Sequence, residues 1–354
     1  MKKKYALFAL MAVAILGISC NDEWEGEQYE HYISFRAPLN EQGTTNIYIP
    51  YTRKNNDGEP VFRKGKSNYQ LPVIVSGSIM NEQNITVHVA HDPDTLVTLN
   101  YARYSTRRDL YYRDMSDEQF TYASFAETAQ IKAGEKVGLL NLDFDFNDID
   151  MSDKWVIPLQ IADHPSYGYL SHPRKNYSKA MLRIFPFNDY SGDYSGTLLT
   201  NKVVDENIDK DTDVSITKNS VRGYVVDDNT IFTYAGIVDE DYTDRKRYKI
   251  YFKFSIGKNG GAVDIYCKNP DDIGFKKSAT TIPSYRIQSS MDKMRPYLEH
   301  RYVIINNIDY YFNYILSDKG TSQKSYVRYH VTGSITLSRD INTQIPDEDQ
   351  AIEW

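Results

Sequence analysis

Residues 137–146 read Val137-Gly138-Leu139-Leu140-Asn141-Leu142-Asp143-Phe144-Asp145-Phe146. In an extended chain successive side chains point to opposite faces, so Leu140, Leu142, Phe144 and Phe146 share one face and Asn141, Asp143 and Asp145 the other. No helix sorts this run so cleanly, and the segment reads as a strand with one buried side. Working outward, the same period of two recurs at 46–53 (Ile47, Ile49, Tyr51), 70–76 (Leu71, Val73, Val75) and 84–90 (Ile85, Val87, Val89). It returns at 154–161 (Trp155, Ile157, Leu159, Ile161) and at Ala180, Leu182 and Ile184, with a further strand at 31–37. Short alternating strands separated by turn residues make residues 31–186 an all-β domain, a sandwich of immunoglobulin type. One helix is expected here: Ser116-Asp117-Glu118-Gln119 fits a capping box, and Phe120 to Ala129 follows without Gly or Pro.

Phe185-Pro186-Phe187-Asn188-Asp189 reads as a short, stiff joint, with Pro186 stopping a strand. Beyond it, residues 187–340 carry longer strands in meander order. Tyr248, Ile250, Phe252 and Phe254 alternate with Lys249, Tyr251 and Lys253, and Val327, Tyr329, Val331, Gly333, Ile335 and Leu337 share a face near the end. Many sequential strands without helical crossovers predict a closed up-and-down barrel, with a second sandwich as the alternative. A barrel mouth can hold a ligand; His300, Tyr297, Tyr302, Tyr310, Tyr311 and Tyr314 are the side chains to examine there.

Charge is concentrated at the ends. The formal net charge is −7, but Lys2, Lys3 and Lys4 precede an apolar run from Tyr5 to Ile15 and then Leu16-Gly17-Ile18-Ser19-Cys20. A basic segment, a short apolar run and small residues before a cysteine predict a lipoprotein signal peptide over 1–20, with Cys20 taking the lipid. Leu16 stands four residues before Cys20, one further than the usual lipobox places it. The run is too short for a spanning helix. Residues 21–30 form an acidic tether with five acids, and 341–354 an acidic tail, which leaves the body near neutrality. Such a body has no basic field, which excludes nucleic acid as a partner and favours a neutral, hydroxyl-rich ligand. Cys267 has no partner once Cys20 is lipidated, so there is no disulfide framework, and its strand-like setting predicts an inert thiol.

No motif nominates an enzyme. Neither G-x-S-x-G nor H-E-x-x-H occurs. Asp143-Phe144-Asp145-Phe146-Asn147 opens like a calcium loop, but Asp148 stands where Gly is needed and Lys154 where a bidentate Glu is needed, so no metal is expected. His88 and His91, near Asp92 and Asp94, fall on opposite strand faces and make a poor zinc pair. A glycoside hydrolase, which needs a pair of spaced carboxylates, remains the enzymatic alternative, and a structural or adhesive subunit a further one. No cofactor is expected.

Tyrosine is abundant, at 30 residues against 14 Phe and 3 Trp. Most of these suit pleated surfaces. Residues 100–113 pack Tyr101, Tyr104, Arg107, Arg108, Tyr111 and Tyr112 together with Arg103 and Arg113. Exposed tyrosine faces can stack on sugar rings, and arginine forks can bind hydroxyls or acidic sugars. These six are therefore the candidate glycan-binding residues; the alternative is a Tyr-rich edge strand with solvated arginines.

The signal segment, the acids after Cys20, the run Trp155-Val156-Ile157-Pro158-Leu159-Gln160-Ile161 and the opening Asp189-Tyr190-Ser191-Gly192-Asp193-Tyr194-Ser195-Gly196 together resemble Bacteroidetes outer-membrane lipoproteins. More closely, the chain resembles their two-domain members of unknown function from polysaccharide-utilisation systems. The resemblance implies a non-catalytic, surface glycan-binding role, an immunoglobulin-like first domain and a lipocalin-like second one. It implies as partners a carbohydrate, the outer-membrane lipid through Cys20, a TonB-dependent importer and its lid lipoprotein. Asp22 and Glu23 resemble the acidic signal that sends such lipoproteins to the outer face.

Overall fold

The computed structural model describes residues 30–55, 58–117, 119–257, 259–317 and 325–345. The expected signal peptide with Cys20, the tether up to residue 29 and the tail from residue 346 lie outside the described residues. Among the described residues no helix is long and apolar enough to cross a membrane.

The alternating runs form strands where the period of two placed them. The N-terminal part contains β1 (Tyr32–Phe35), β2 (Thr45–Pro50), β3 (Lys66–Val75), β4 (Ile85–His91), β5 (Tyr112–Asp114), β6 (Ala123–Phe125) and β7 (Thr128–Ile131). It continues with β8 (Val137–Asp145), β9 (Lys154–Ile161), β10 (Leu170–Ser171) and β11 (Lys179–Phe187). They make two sheets, β10-β1-β3-β8-β6 and β2-β11-β9-β4-β7, with β5 added beside β9. The opening stretch behaves as its pattern dictates. Leu140, Leu142 and Phe144 are buried between the sheets, while Asn141 and Asp143 face out.

The expected helix after Ser116 does not form. Thr121 takes a left-handed φ of 53°, which no helix accommodates, and Phe120 and Tyr122 pack edge-on to Trp155 at 5.1 and 5.2 Å between ring centres. Residues 123–125 and 128–131 then pair with β8 and β4. Tertiary packing overrides the capping signal. The helix that does form, α1 (Pro93–Tyr104), precedes it. Asp92 caps it by accepting from the Thr95 amide, Pro93 starts it, and Asp94 and Arg103 complement its dipole ends.

At the expected joint, Pro186 does not stop β11. The strand's pairing with β9 ends at Arg183, so the missing proline N–H costs no ladder bond on that side, and β11 continues beside β2 to Phe187. Asn188 then ties the joint down. Its side chain donates to the Asp227 carbonyl at 2.6 Å and accepts from the Tyr190 and Ser191 amides, and Arg339 donates to its carbonyl at 2.8 Å.

The C-terminal part holds β12 (Gly192–Ser195), β13 (Leu199–Asp205), β14 (Lys210–Thr217), β15 (Ser220–Asp227), β16 (Thr230–Tyr234), β17 (Lys249–Phe254) and β18 (Gly260–Tyr266). It ends with β19 (Lys276–Lys277), β20 (Ser284–Met291), β21 (Leu298–Ser317) and β22 (Ser325–Asn342). Strands β12, β15, β16, β17, β18, β20, β21 and β22 close a ring, the predicted up-and-down barrel, and β13–β14 projects as a hairpin from the β22 edge. Residues 302–305 and 309–316 lie in one strand. A bulge between Ile305 and Ile308, where Asn307 has a φ of 59°, bends β21 without ending it. The interior is filled by Tyr194, Phe252, Phe254, Tyr248, Tyr310 and Phe312, each at most 2 % exposed. Gly333 lets the β13 hairpin lie close on β22, since a Cβ there would lie 1.9 Å from the Leu198 carbonyl oxygen.

Candidate functional site

The Tyr–Arg stretch turns inward to the boundary between sandwich and barrel. It starts on the last turn of α1 and passes through a short 3₁₀ turn, Arg108–Leu110, into β5. Tyr112 is buried, which pushes its hydroxyl pKa up to about 12, and Tyr104 packs edge-on to it at 5.5 Å. Lys154, itself almost fully buried, lies over the Tyr104 ring and pairs with Asp241 of the barrel at 2.9 Å. Arg107 grips Asp109 with two bonds and donates to the Asp241 carbonyl. The Tyr111 hydroxyl donates to the Ser105 carbonyl. Of the six candidates, Tyr101, Arg107 and Arg108 keep exposed side chains; Tyr112 offers no face to a ligand.

These contacts belong to a larger charged seam. Arg245, 2 % exposed, reaches from the barrel into the sandwich and donates to the Ser152 and Asp109 carbonyls at 2.9 and 2.8 Å. Lys246 pairs with Asp153 at 2.8 Å and Lys249 with Asp150 at 2.5 Å. Burial works against the Asp150 carboxylate, yet Lys249 and Ser152 hold it down to about 2. Burial also lowers the Lys249 ammonium, the opposite tendency for the pair, and the 2.5 Å contact decides for the ionised form. Glu240 is likewise penalised by burial but held below its ordinary value by Arg183, Lys154 and Arg222. The apolar core runs unbroken from the sandwich into the barrel beneath the seam. The seam holds the two parts as one body.

The side chains weighed for the barrel mouth do other things. Tyr310 is core, and Tyr314 packs among Tyr242, Tyr248 and Tyr329. Tyr311 stacks on His330 at 4.0 Å, and His300 bridges Asp340 and Asp292. Tyr302 is partly exposed. The histidines weighed for zinc are also engaged: His88 stacks on Tyr167, His91 bonds to Asp114, and Asp92 caps α1 and pairs with Lys179. Cys267 is half-buried, and burial raises its thiol pKa.

Among the described residues, a concavity large enough for a ligand lies elsewhere. A cleft of about 480 Å³ opens at the β3–β8–β6 end of the sandwich, with Ser116, Asp117, Thr121 and Tyr122 on one side. That volume is in the range of small-molecule sites. Its lining combines three aromatic residues, Phe62, Tyr122 and Phe144, with Asp117, Asp143, Asp145, Lys66 and the hydroxyl residues Ser67, Ser116, Thr121 and Ser124. The wall is pre-set. Asp114 fixes Ser116, Asp117 accepts from the Gln119 amide, and the Asp145 amide donates to the Tyr122 carbonyl. Tyr122 is braced by Phe120 and Trp155. Lys66 pairs with Asp145 at 3.0 Å; burial opposes the charge on Asp145, but Lys66 and Asn147 lower its pKa. Ser67 is 3 % exposed, and its hydroxyl has no hydrogen-bond partner. The polar face of β8 was legible in the sequence, but its partners Phe62, Ser67 and Tyr122 come from three other segments, and no local spacing links them.

The family model for a domain of unknown function, DUF4973, matches residues 24–165, and a model described as a C-terminal domain matches residues 178–336. No curated protein matches the chain. An auxiliary nutrient binding protein from Bacteroides thetaiotaomicron is similar at 62% identity and a TM-score of 0.82, covering 92% of this chain and 100% of its own. A multidomain protein including DUF1735 from Bacteroides ovatus is similar at 41% and 0.76, over 91% and 100%. A protein of unknown function from Bacteroides ovatus follows at 30% and 0.72, over 94% and 98%. The chain, with a DUF4973 match ahead of the C-terminal-domain match, belongs to the family of two-domain, all-β Bacteroides proteins that these relatives represent.

Proposed function

We propose that this protein is a non-catalytic binder of a nutrient glycan, tethered to the outer membrane through Cys20 and serving a partner importer. The observation that carries the binding role is the pre-set cleft at the β3–β8–β6 end. An aromatic ring braced against Trp155 stands beside carboxylates and hydroxyls, the combination that suits a sugar's apolar ring face and its rim of hydroxyls. The name given to the similar Bacteroides thetaiotaomicron protein supports a binding role. Against burial, Lys66 and Asn147 hold the Asp145 carboxyl below its ordinary pKa, which does not suit it as a general acid. Tyr101 and Arg108 stay exposed, whereas Tyr104, Arg107 and Tyr112 take part in the seam. Affinity electrophoresis against plant and host polysaccharides tests the reading. Retention is expected, weakened at least tenfold in Tyr122→Ala and unchanged in Tyr101→Ala. Retention of nothing in the panel, or release of reducing sugar, overturns it.

A further inference from the structure

We infer that the cleft discriminates by charge: it accepts saccharides that are uncharged or carry an amine, and Asp117 and Asp143 turn away those bearing carboxylate or sulfate. This rests on the reading of the cleft as the saccharide site. The lining holds three carboxylates, Asp117, Asp143 and Asp145, against one cation, Lys66. Lys66 is committed to Asp145 at 3.0 Å. Among the described residues no cation pairs with Asp117 or Asp143. Asp117 is oriented by the Gln119 amide, and Asp143 stands on the outward face of β8 opposite Ser124. A sugar hydroxyl or ammonium donates to such a carboxylate, whereas an anionic substituent at the same distance is repelled.

The test runs each polysaccharide of the panel beside its carboxymethylated derivative, with the full chain, by affinity electrophoresis at low salt. Wild type is expected to bind the derivative at least about tenfold more weakly than the parent, a like-charge penalty of about 1.4 kcal/mol. In the Asp117→Asn, Asp143→Asn double variant, which keeps the acceptor geometry, that ratio is expected to fall below about threefold, and 0.5 M salt should narrow it in wild type. Equal or tighter binding of the derivative by wild type overturns the inference while leaving the saccharide site standing. So does a ratio that the double variant does not move. Retention of neither parent nor derivative overturns the saccharide reading itself.

Discussion

Replacing Arg245 by Ala tests whether the charged seam makes sandwich and barrel one folding unit. The guanidinium is 2 % exposed and supplies the Ser152 and Asp109 carbonyls with charge-assisted bonds of 2.9 and 2.8 Å, while the Asp109 carboxylate lies 4.0 Å away. Bonds to a charged group contribute about 1.5–3 kcal/mol each. The Ala variant loses both and leaves two buried carbonyls without donors, so a loss of about 3–5 kcal/mol is expected, a large share of a typical total of about 5–15. Arg245→Lys keeps the charge but cannot span both acceptors with one fork, and should lose roughly half as much. Urea unfolding followed by tryptophan fluorescence is the assay, because Trp155 sits beside the seam with its indole N–H on the Asp150 carbonyl. Wild type should unfold in one transition and Arg245→Ala in two, the barrel and sandwich separating. A loss under about 1 kcal/mol with a single transition retained would refute the idea that buried bonds across the seam, and not the apolar contact alone, couple the two parts.

Other outcomes follow from the same structure. Gly333→Ala should cost more than about 2 kcal/mol in thermal unfolding, since its Cβ would meet the Leu198 carbonyl at 1.9 Å at a φ of 133°. Asp150 has a folded pKa of about 2 against an ordinary 3.8. Its contribution is therefore full above pH 4 and lost as pH falls toward 2. With 37 % of the side chain exposed, screening reduces it to about 1 kcal/mol. Lys249→Met should flatten that limb of the stability–pH curve. His300 has a raised pKa, first through Asp340 and then Asp292; whatever it adds to stability is present at low pH and lost as pH rises through the folded value. Its proton NMR titration should have a midpoint above 6.5, and Asp340→Asn should move it down.

What the sequence determined by itself was set by local periodicity. Alternation such as Leu140-Asn141-Leu142-Asp143-Phe144 admits one backbone and one buried face, so the strands, the all-β class and the succession of sandwich and barrel followed from it. The helix was misplaced because the local signals competed. Ser116 to Gln119 looks like a cap, but Thr121 is forced to a positive φ once Phe120 and Tyr122 find Trp155, 33 residues away in sequence for Tyr122. The Asp92-Pro93 start of α1 was equally visible and was spent on a metal hypothesis. The site is a different kind of fact. Tertiary structure alone decided that Tyr112 faces the core, that Arg245 crosses to the sandwich, and that Phe62, Ser67, Tyr122 and Asp143 meet around one cleft. Those contacts join residues far apart in the chain, and loop closure, sheet register and burial fix them together only after the strands have paired.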